Sequence, residues 1–305
     1  MINIVKRRYL YFAISLLVIV PGLIALSIWG LPLAIDFTGG SLLYIRFDSG
    51  SLPPSQDIID IYNSFGFPDT LVQTSGTSSL FIRSKDMDEA MRSNIVQAME
   101  QRFNTSIVVE SFETVGPSIG KEVALRAAGA VGLAALGIML YITYAFRGVT
   151  HAFRYGVSAI IAMLHDVLVV IGVEAIIGHF LGWEVDSMFL TALLTVIGFS
   201  VHDTIVVFDR IRENSNIYRR IPYETVVNHS IVQTLARSIN TQLTVLFTLL
   251  ALAIFGGVTI RHFVITLLIG VLSGTYSSIF NAAPILVVWE KREWQTWFGR
   301  TPKQA

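Results

Sequence analysis

The chain has 305 residues, of which 22 are basic and 22 acidic, so charged residues make up 14%, where a soluble globular protein carries roughly 25%. With 53% apolar residues and a mean hydropathy of +0.61, a water-soluble globule is excluded, and the absence of cysteine excludes disulfides, thiolate metal sites and cysteine nucleophiles. The net charge of zero conceals an uneven layout, because 12 acidic and 6 basic residues fall between Asp36 and Glu122, a net of −6 against +6 elsewhere. An acidic, soluble-looking block inside a basic, apolar chain describes an integral membrane protein with one water-exposed domain.

A membrane helix needs about 20 mostly apolar residues. The first uncharged run, Tyr9 to Gly30, follows Lys6, Arg7 and Arg8. It is too long for a signal-peptide core and is followed by Leu31, Pro32 and Leu33 rather than a small-residue cleavage site, so it reads as a retained span. Five more runs follow: Ala127 to Phe146, Tyr155 to Leu181, Ser187 to Phe208, Ser238 to Thr259 and Phe263 to Trp289. Basic residues of short loops stay in the cytoplasm. They cluster before span one, between spans two and three (Arg147, Arg154), between four and five (Arg210, Arg212, Arg219, Arg220) and after six (Lys291, Arg292). The expected layout is therefore a cytoplasmic N-terminus (1–8), helix one (9–30), an external periplasmic domain (31–122), helices two to six (123–289) and a cytoplasmic tail (290–305).

The external block has its own pattern. Ser41 to Phe47 alternates as a strand, Ser55 to Phe65 suits a short helix, and Leu71 to Thr74 and Ser79 to Arg83 read as strands around Gly76. Met87, Met91, Ile95, Met99 and Phe103 recur every four residues as on a helix face, and Ser106 to Val115 is a last strand. The order βαββαβ predicts a ferredoxin-like α+β domain. No metal-ligand cluster or phosphate-binding glycine loop occurs in it.

Ionisable residues inside spans are costly, at least ~2.5–3.5 kcal/mol near the bilayer centre, and tend to be paired and functional. Asp203 and Arg237 fall at similar expected depth on adjacent spans, and Asp166 near the midplane. Two readings stay open from these residues alone: a static polar clasp, or a proton or ion pathway. His165, His179 and His202 are weaker signals, and Glu174 and His179 are expected near the outer surface. A zinc peptidase would need His-Glu-x-x-His, which is absent, and an aspartyl dyad of Asp166 and Asp203 has no other support, so the chain is not expected to be an enzyme and no cofactor or metal is expected. Gly270, Gly274, Ser277 and Ser278, with Gly198 and Ser200, suit close helix approach, and Asn281 and Pro284 are expected to kink the last span.

At these residues the chain resembles the SecF family of the bacterial Sec protein-export machinery. Ala34-Ile35-Asp36-Phe37-Thr38-Gly39-Gly40 is similar to the family's motif after the first span, with Ala34 in place of a glycine. Val115 to Gly120 and Leu164-His165-Asp166-Val167 are similar to later motifs. The most specific likeness is the run from Gly198 through His202, Asp203 and Arg210 to Asn214, where the family usually has Asn at the position of His202. Thr234 to Ile239, around Arg237, and Gly274 to Ser278 complete the series.

The resemblance implies an RND-like half: six membrane helices with a periplasmic domain between the first two, in the bacterial inner membrane. It also implies pairing with SecD, docking on the SecYEG channel, further association with YajC and SecA, contact with exported preproteins and lipids, and no nucleic acid. The implied activity is proton-driven assistance to protein export, with Asp203, Arg237, Asp166 and His202 on the proton pathway and Asp36, Phe37, Thr38, Gly39, Gly40, Gly198 and Gly274 as structural motif positions. A self-contained RND-type exporter of small molecules or lipids and a passive assembly subunit are the alternatives.

Overall fold

A computed structural model describes residues 3–75, 77–148 and 151–297. Residues 298–305 of the expected tail lie outside them. The chain forms two units, Pro32–Gly129 and the remainder.

The first unit contains α2 (Ile35–Thr38), β1 (Gly40–Phe47), α3 (Ser55–Ser64), β2 (Leu71–Ser75), β3 (Ser79–Ser84), α4 (Glu89–Phe103) and β4 (Ile107–Val115). The strands pair antiparallel in the order β2-β3-β1-β4, which is the ferredoxin-like arrangement expected from the sequence. Alternation puts Leu43, Ile45 and Phe47 of β1 and Leu80 and Ile82 of β3 on one face, against Ile58 and Tyr62 of α3 and Ile95 and Met99 of α4. Asp88 caps α4 by accepting from the Met91 N–H at 2.8 Å, and Asn104, left-handed at φ 49°, ends it. A bulge after Tyr44 leaves Glu110 of β4 without an opposite residue; its carboxylate accepts from Arg46 Nε at 2.8 Å. The sequence reading missed α2, which is only four residues long and is closed by two positive-φ glycines.

The second unit holds the long helices: α1 (Arg8–Trp29), most of α5 (Pro117–Ala145), α6 (Ala152–Leu181), α7 (Ser187–Ile217), α8 (Tyr223–Phe255) and α9 (Val258–Ser277). A π-helical turn (Ser278–Ala282) joins α9 to α10 (Ala283–Glu290). These make six candidate spans, the last running Ile260–Glu290. Three expectations are corrected. α5 starts at Pro117, so the helix begins within the residues assigned to the external domain (31–122). α7 continues to Ile217, and α8 begins at Tyr223, which places Arg237 in mid-helix rather than at an entrance. The disturbance expected at Asn281 and Pro284 is the π turn. Pro284, near the start of α10, has no N–H to give the ordinary helical ladder.

Helix contacts depend on missing side chains. A Cβ on Gly22 of α1 would lie 2.7 Å from the Cα of Gly172 on α6. α7 and α9 run parallel in steady register: a Cβ on Gly270 would strike Val196, and one on Gly274 would lie 3.3 Å from Ser200.

In the α+β unit, the Tyr62 side chain is fully buried and its hydroxyl has no hydrogen-bond partner among the described residues. Burial holds that hydroxyl protonated above the ordinary tyrosine range. Above about pH 10 the unfolded chain therefore releases a proton that the folded chain keeps, so stability falls as pH rises. Tyr62→Phe should be neutral or stabilising by about 1 kcal/mol and should flatten this alkaline loss. Hydrogen exchange of the β1 and β3 amides against pH measures both effects.

Candidate functional site

Apolar bundles hide few charges, and the buried carboxylates among the described residues lie on α6 and α7. Asp166 of α6 is 1% exposed and its carboxylate is surrounded by donors. Ser200 of α7 and Ser277 of α9 donate to Oδ2 at 2.5 and 2.7 Å. Ser273 of α9 donates to Oδ1 at 2.6 Å, and His165 Nδ1 lies 2.9 Å from the same oxygen. Both oxygens of Asp166 are thus bonded, by three serine hydroxyls and the neighbouring imidazole. Gly274 makes this possible, since a side chain there would press on Ser200 and reach within 3.7 Å of Asp166 Oδ2. One turn further along α7, Thr204 Oγ1 lies 2.9 Å from Ser278 Oγ.

Asp203 is also buried, 3% exposed, but is only half satisfied. Ser238 of α8 donates to Oδ1 at 2.9 Å, and Oδ2 has no hydrogen-bond partner among the described residues. Gln242, one turn beyond Ser238, presents its side chain to the same carboxylate, and its buried Oε1 is likewise unpartnered among the described residues. A buried acceptor left without a partner costs about 1–3 kcal/mol. A proton on Oδ2 removes the charge and turns that oxygen into a donor.

The sequence-predicted residues are thus separated. Arg237 is exposed and makes no ion pair with Asp203 among the described residues. Adjacent helix residues point about 100° apart, so the turn that brings Ser238 to Asp203 directs Arg237 away. His202 is exposed beside buried Asp203 for the same reason. Gly198 is exposed with nothing near its Cβ position, unlike Gly270 and Gly274. Glu174, expected near the surface, is 3% exposed and 2.8 Å from His262 Nε2. His179 stacks on Trp29 with ring centroids 4.1 Å apart. Arg8, read as an orientation signal, is buried against Glu224 at 3.0 Å and Glu293.

The motif Asp36 to Gly40 belongs to the α+β unit and is a backbone device. Phe37 is buried, and Thr38 Oγ1 accepts from Arg83 at 2.6 Å. Gly39 has φ +74°, and a Cβ there would lie 2.6 Å from the Cα of Pro117, the first residue of α5. Gly40 has φ +125°, with the Ser84 carbonyl oxygen 2.6 Å from the Cβ position. Only glycine fits both sites.

Ser238, Gln242, Ser273 and the Glu174–His262 pair were not singled out from the sequence. Ser238 and Gln242 lie four residues apart, on one face of an apolar helix, which is the signal that could have found them.

Such a molecule is a polytopic helical membrane protein with a ferredoxin-like insertion and a buried polar line through its bundle. The family described as protein export membrane protein SecD/SecF, C-terminal, matches residues 95–292, and the SecD/SecF GG motif matches residues 24–50. The protein translocase subunit SecF of Anaerolinea thermophila is 59% identical over 306 aligned positions, covering 100% of this chain and 99% of that one. The SecF of Thermobaculum terrenum is 48% identical with the same coverages. The crystal structure of SecDF, a translocon-associated membrane protein from Thermus thermophilus, superposes with a TM-score of 0.82 at 32% identity, covering 95% of this chain. This chain spans 39% of that longer SecDF chain. The chain belongs to the SecD/SecF family of protein export membrane proteins.

Removing the Asp166 carboxylate leaves three serine hydroxyls and an imidazole without their acceptor. Asp166→Ala should therefore cost several kcal/mol, at about 1–3 kcal/mol per orphaned group, whereas Asp166→Asn, which keeps an acceptor oxygen, should cost less than half as much. Thermal unfolding of the purified protein in detergent, read by tryptophan fluorescence, gives the comparison.

Proposed function

We propose that this chain is a non-enzymatic accessory subunit of the Sec preprotein translocase that, paired with SecD, uses the proton motive force to promote export. In this reading it sits in the bacterial inner membrane with both termini cytoplasmic and the α+β unit in the periplasm, as the distribution of basic loops favours. SecYEG is the channel it serves, with SecA, YajC and exported preproteins as further contacts. The names of the similar proteins support the Sec assignment. An unfilled helix surface supports a membrane partner: the apolar window of α5 is 0% buried and that of α8 11%, against 56% for α6.

The observation that carries the proton reading is the half-satisfied carboxylate of Asp203. Asp166 is fully bonded and fastens α6, α7 and α9. Among the described residues, one oxygen of Asp203 has no hydrogen-bond partner, and the hydroxyl that donates to the other lies on α8, whose apolar window is 11% buried. Protonated, Asp203 carries no charge and needs no cation. Deprotonated, it attracts Arg237, one residue from Ser238, and turning α8 by about 100° exchanges the two. Each charge moved through 100 mV supplies about 2.3 kcal/mol, comparable to the one or two buried hydrogen bonds exchanged.

Asp203→Asn keeps size and hydrogen bonding but removes titration. Assembled complexes carrying it should retain ATP-driven initiation of export and lose about tenfold or more of the gradient-dependent rate, equivalent to about 1.4 kcal/mol. Arg237→Lys, which keeps charge without the planar fork, should lose part of it. Export into inverted membrane vesicles with and without a gradient is the measurement, and a full gradient response in Asp203→Asn overturns the reading.

A further inference from the structure

The proton reading uses Asp203 and leaves another buried titratable pair unexplained. Glu174, near the end of α6, is 3% exposed, and its Oε1 lies 2.8 Å from Nε2 of His262, near the start of α9. Trp183 and Phe189 enclose the imidazole, with ring centroids 4.8 and 6.2 Å away. This is the end of the bundle at which α1 also finishes, marked by Trp29 stacked on His179. The other charged or titratable groups here are His179 of α6, exposed Arg261 beside His262, and Glu184 and Asp186 of the connection to α7. Asp186 caps α7 by accepting from the Phe189 N–H at 2.7 Å.

The parallel register of α7 and α9 connects this pair to the rest of the polar line. Going inward along α9, His262 is followed by Thr266, 2% exposed, whose hydroxyl donates to the His262 carbonyl at 3.0 Å. Gly270 comes next, then Ser273 and Ser277, both bonded to Asp166. On α6, Glu174 stands eight residues, about 12 Å, beyond Asp166. Along α7 the matching levels are Phe189, Val196 and Ser200. The two polar ends of this stripe are interrupted at one level, where the fully buried Val196 fills the space that a side chain on Gly270 would take, with the added Cβ only 2.1 Å from a Val196 methyl carbon.

We propose that Glu174 and His262 form a second protonatable site, the point at which protons enter the bundle from the end where α1 finishes, and that the Val196–Gly270 contact is the apolar barrier between it and the Asp166 serine cluster. A proton taken from water adds to the pair as one new O–H or N–H bond. It leaves by breaking that bond as it passes to the hydroxyl-lined carboxylate of Asp166, three residues short of Asp203 along α7 measured from Ser200. The barrier keeps the two sites from exchanging protons until α7 and α9 shift, so that flow remains tied to conformational change. The inference rests on the proton reading of Asp203.

The test uses the assembled complex in vesicles holding a pH-sensitive dye, with a gradient imposed. Val196→Ala removes two methyls from the barrier and should raise proton leak about tenfold. Glu174→Gln added to it should return the leak to the starting level. Glu174→Gln alone should remove the dependence of flux on the pH of the side at which α1 finishes and leave the dependence on the opposite pH unchanged, a split that a merely structural role does not produce. His262→Asn combined with Glu174→Gln retains a neutral hydrogen bond, should restore thermal stability and should not restore that pH dependence. A Val196→Ala leak unaffected by Glu174→Gln, no leak at all, or an unchanged pH profile in Glu174→Gln overturns the inference. Asp203→Asn separates the two failures. If it retains flux, the proton reading itself falls; if it abolishes flux while Glu174→Gln leaves both pH dependences unchanged, only the entry site falls.

Discussion

A carboxylate in a hydrocarbon-embedded bundle must be bonded, paired or neutralised, because desolvating a lone charge costs more than any one packing contact returns. This chain meets that constraint in three ways. Asp166 receives four donors from α6, α7 and α9. Glu174 is matched with His262. Asp203 has a single hydroxyl from Ser238 and an oxygen without a partner among the described residues. The central helices pack as they do because the first two sets of bonds need them in register; the third set leaves a choice open.

Small residues turn that requirement into geometry. Gly274 brings Ser200 to Asp166, Gly270 receives Val196, and Gly22 and Gly172 set the crossing of α1 on α6. Without a hydrophobic drive between helices in lipid, such close approaches and buried hydroxyl bonds carry the association. α8 stands apart from this arrangement. It is joined to the carboxylate line through Ser238, and its apolar window is 11% buried, which is what an element that changes its contacts needs. The π turn at Ser278–Ala282 adds local freedom on the other side of Thr204.

Much of the α+β unit was legible because each strand alternates and each helix repeats its apolar residues at three- and four-residue steps, so the local pattern and the tertiary face agree. The four residues of α2 carry no period, and their shape comes from Gly39 and Gly40 meeting Pro117 and Ser84. Span starts failed where helices leave the apolar window. The first half of α8 is polar on average, yet Val226, Val227, Ser230, Ile231, Thr234 and Ser238 are buried at helical spacing, a signal that hydropathy averaging hides. Asp166 and Asp203 stood out because charge is rare in spans. Their partners did not, since Ser273 lies 107 positions from Asp166 and a serine in an apolar helix carries no mark of what it binds. The expected Asp203–Arg237 pairing placed the two at the right depth but not on the right face, a rotation of one residue that no depth argument contains.

The central claim is that Asp203 is the carboxyl group of the bundle's inner line that holds the proton at rest, with Asp166 passing one on without keeping it. Infrared difference spectra of the assembled complex in membranes, recorded between low and high pH, read the carbonyl stretch of protonated carboxyl groups directly. The account predicts a band that is lost in Asp203→Asn, shifts in Gln242→Leu as a hydrogen-bond partner is removed, and survives in Asp166→Asn. A spectrum unchanged by Asp203→Asn, or a band lost in Asp166→Asn instead, would contradict it.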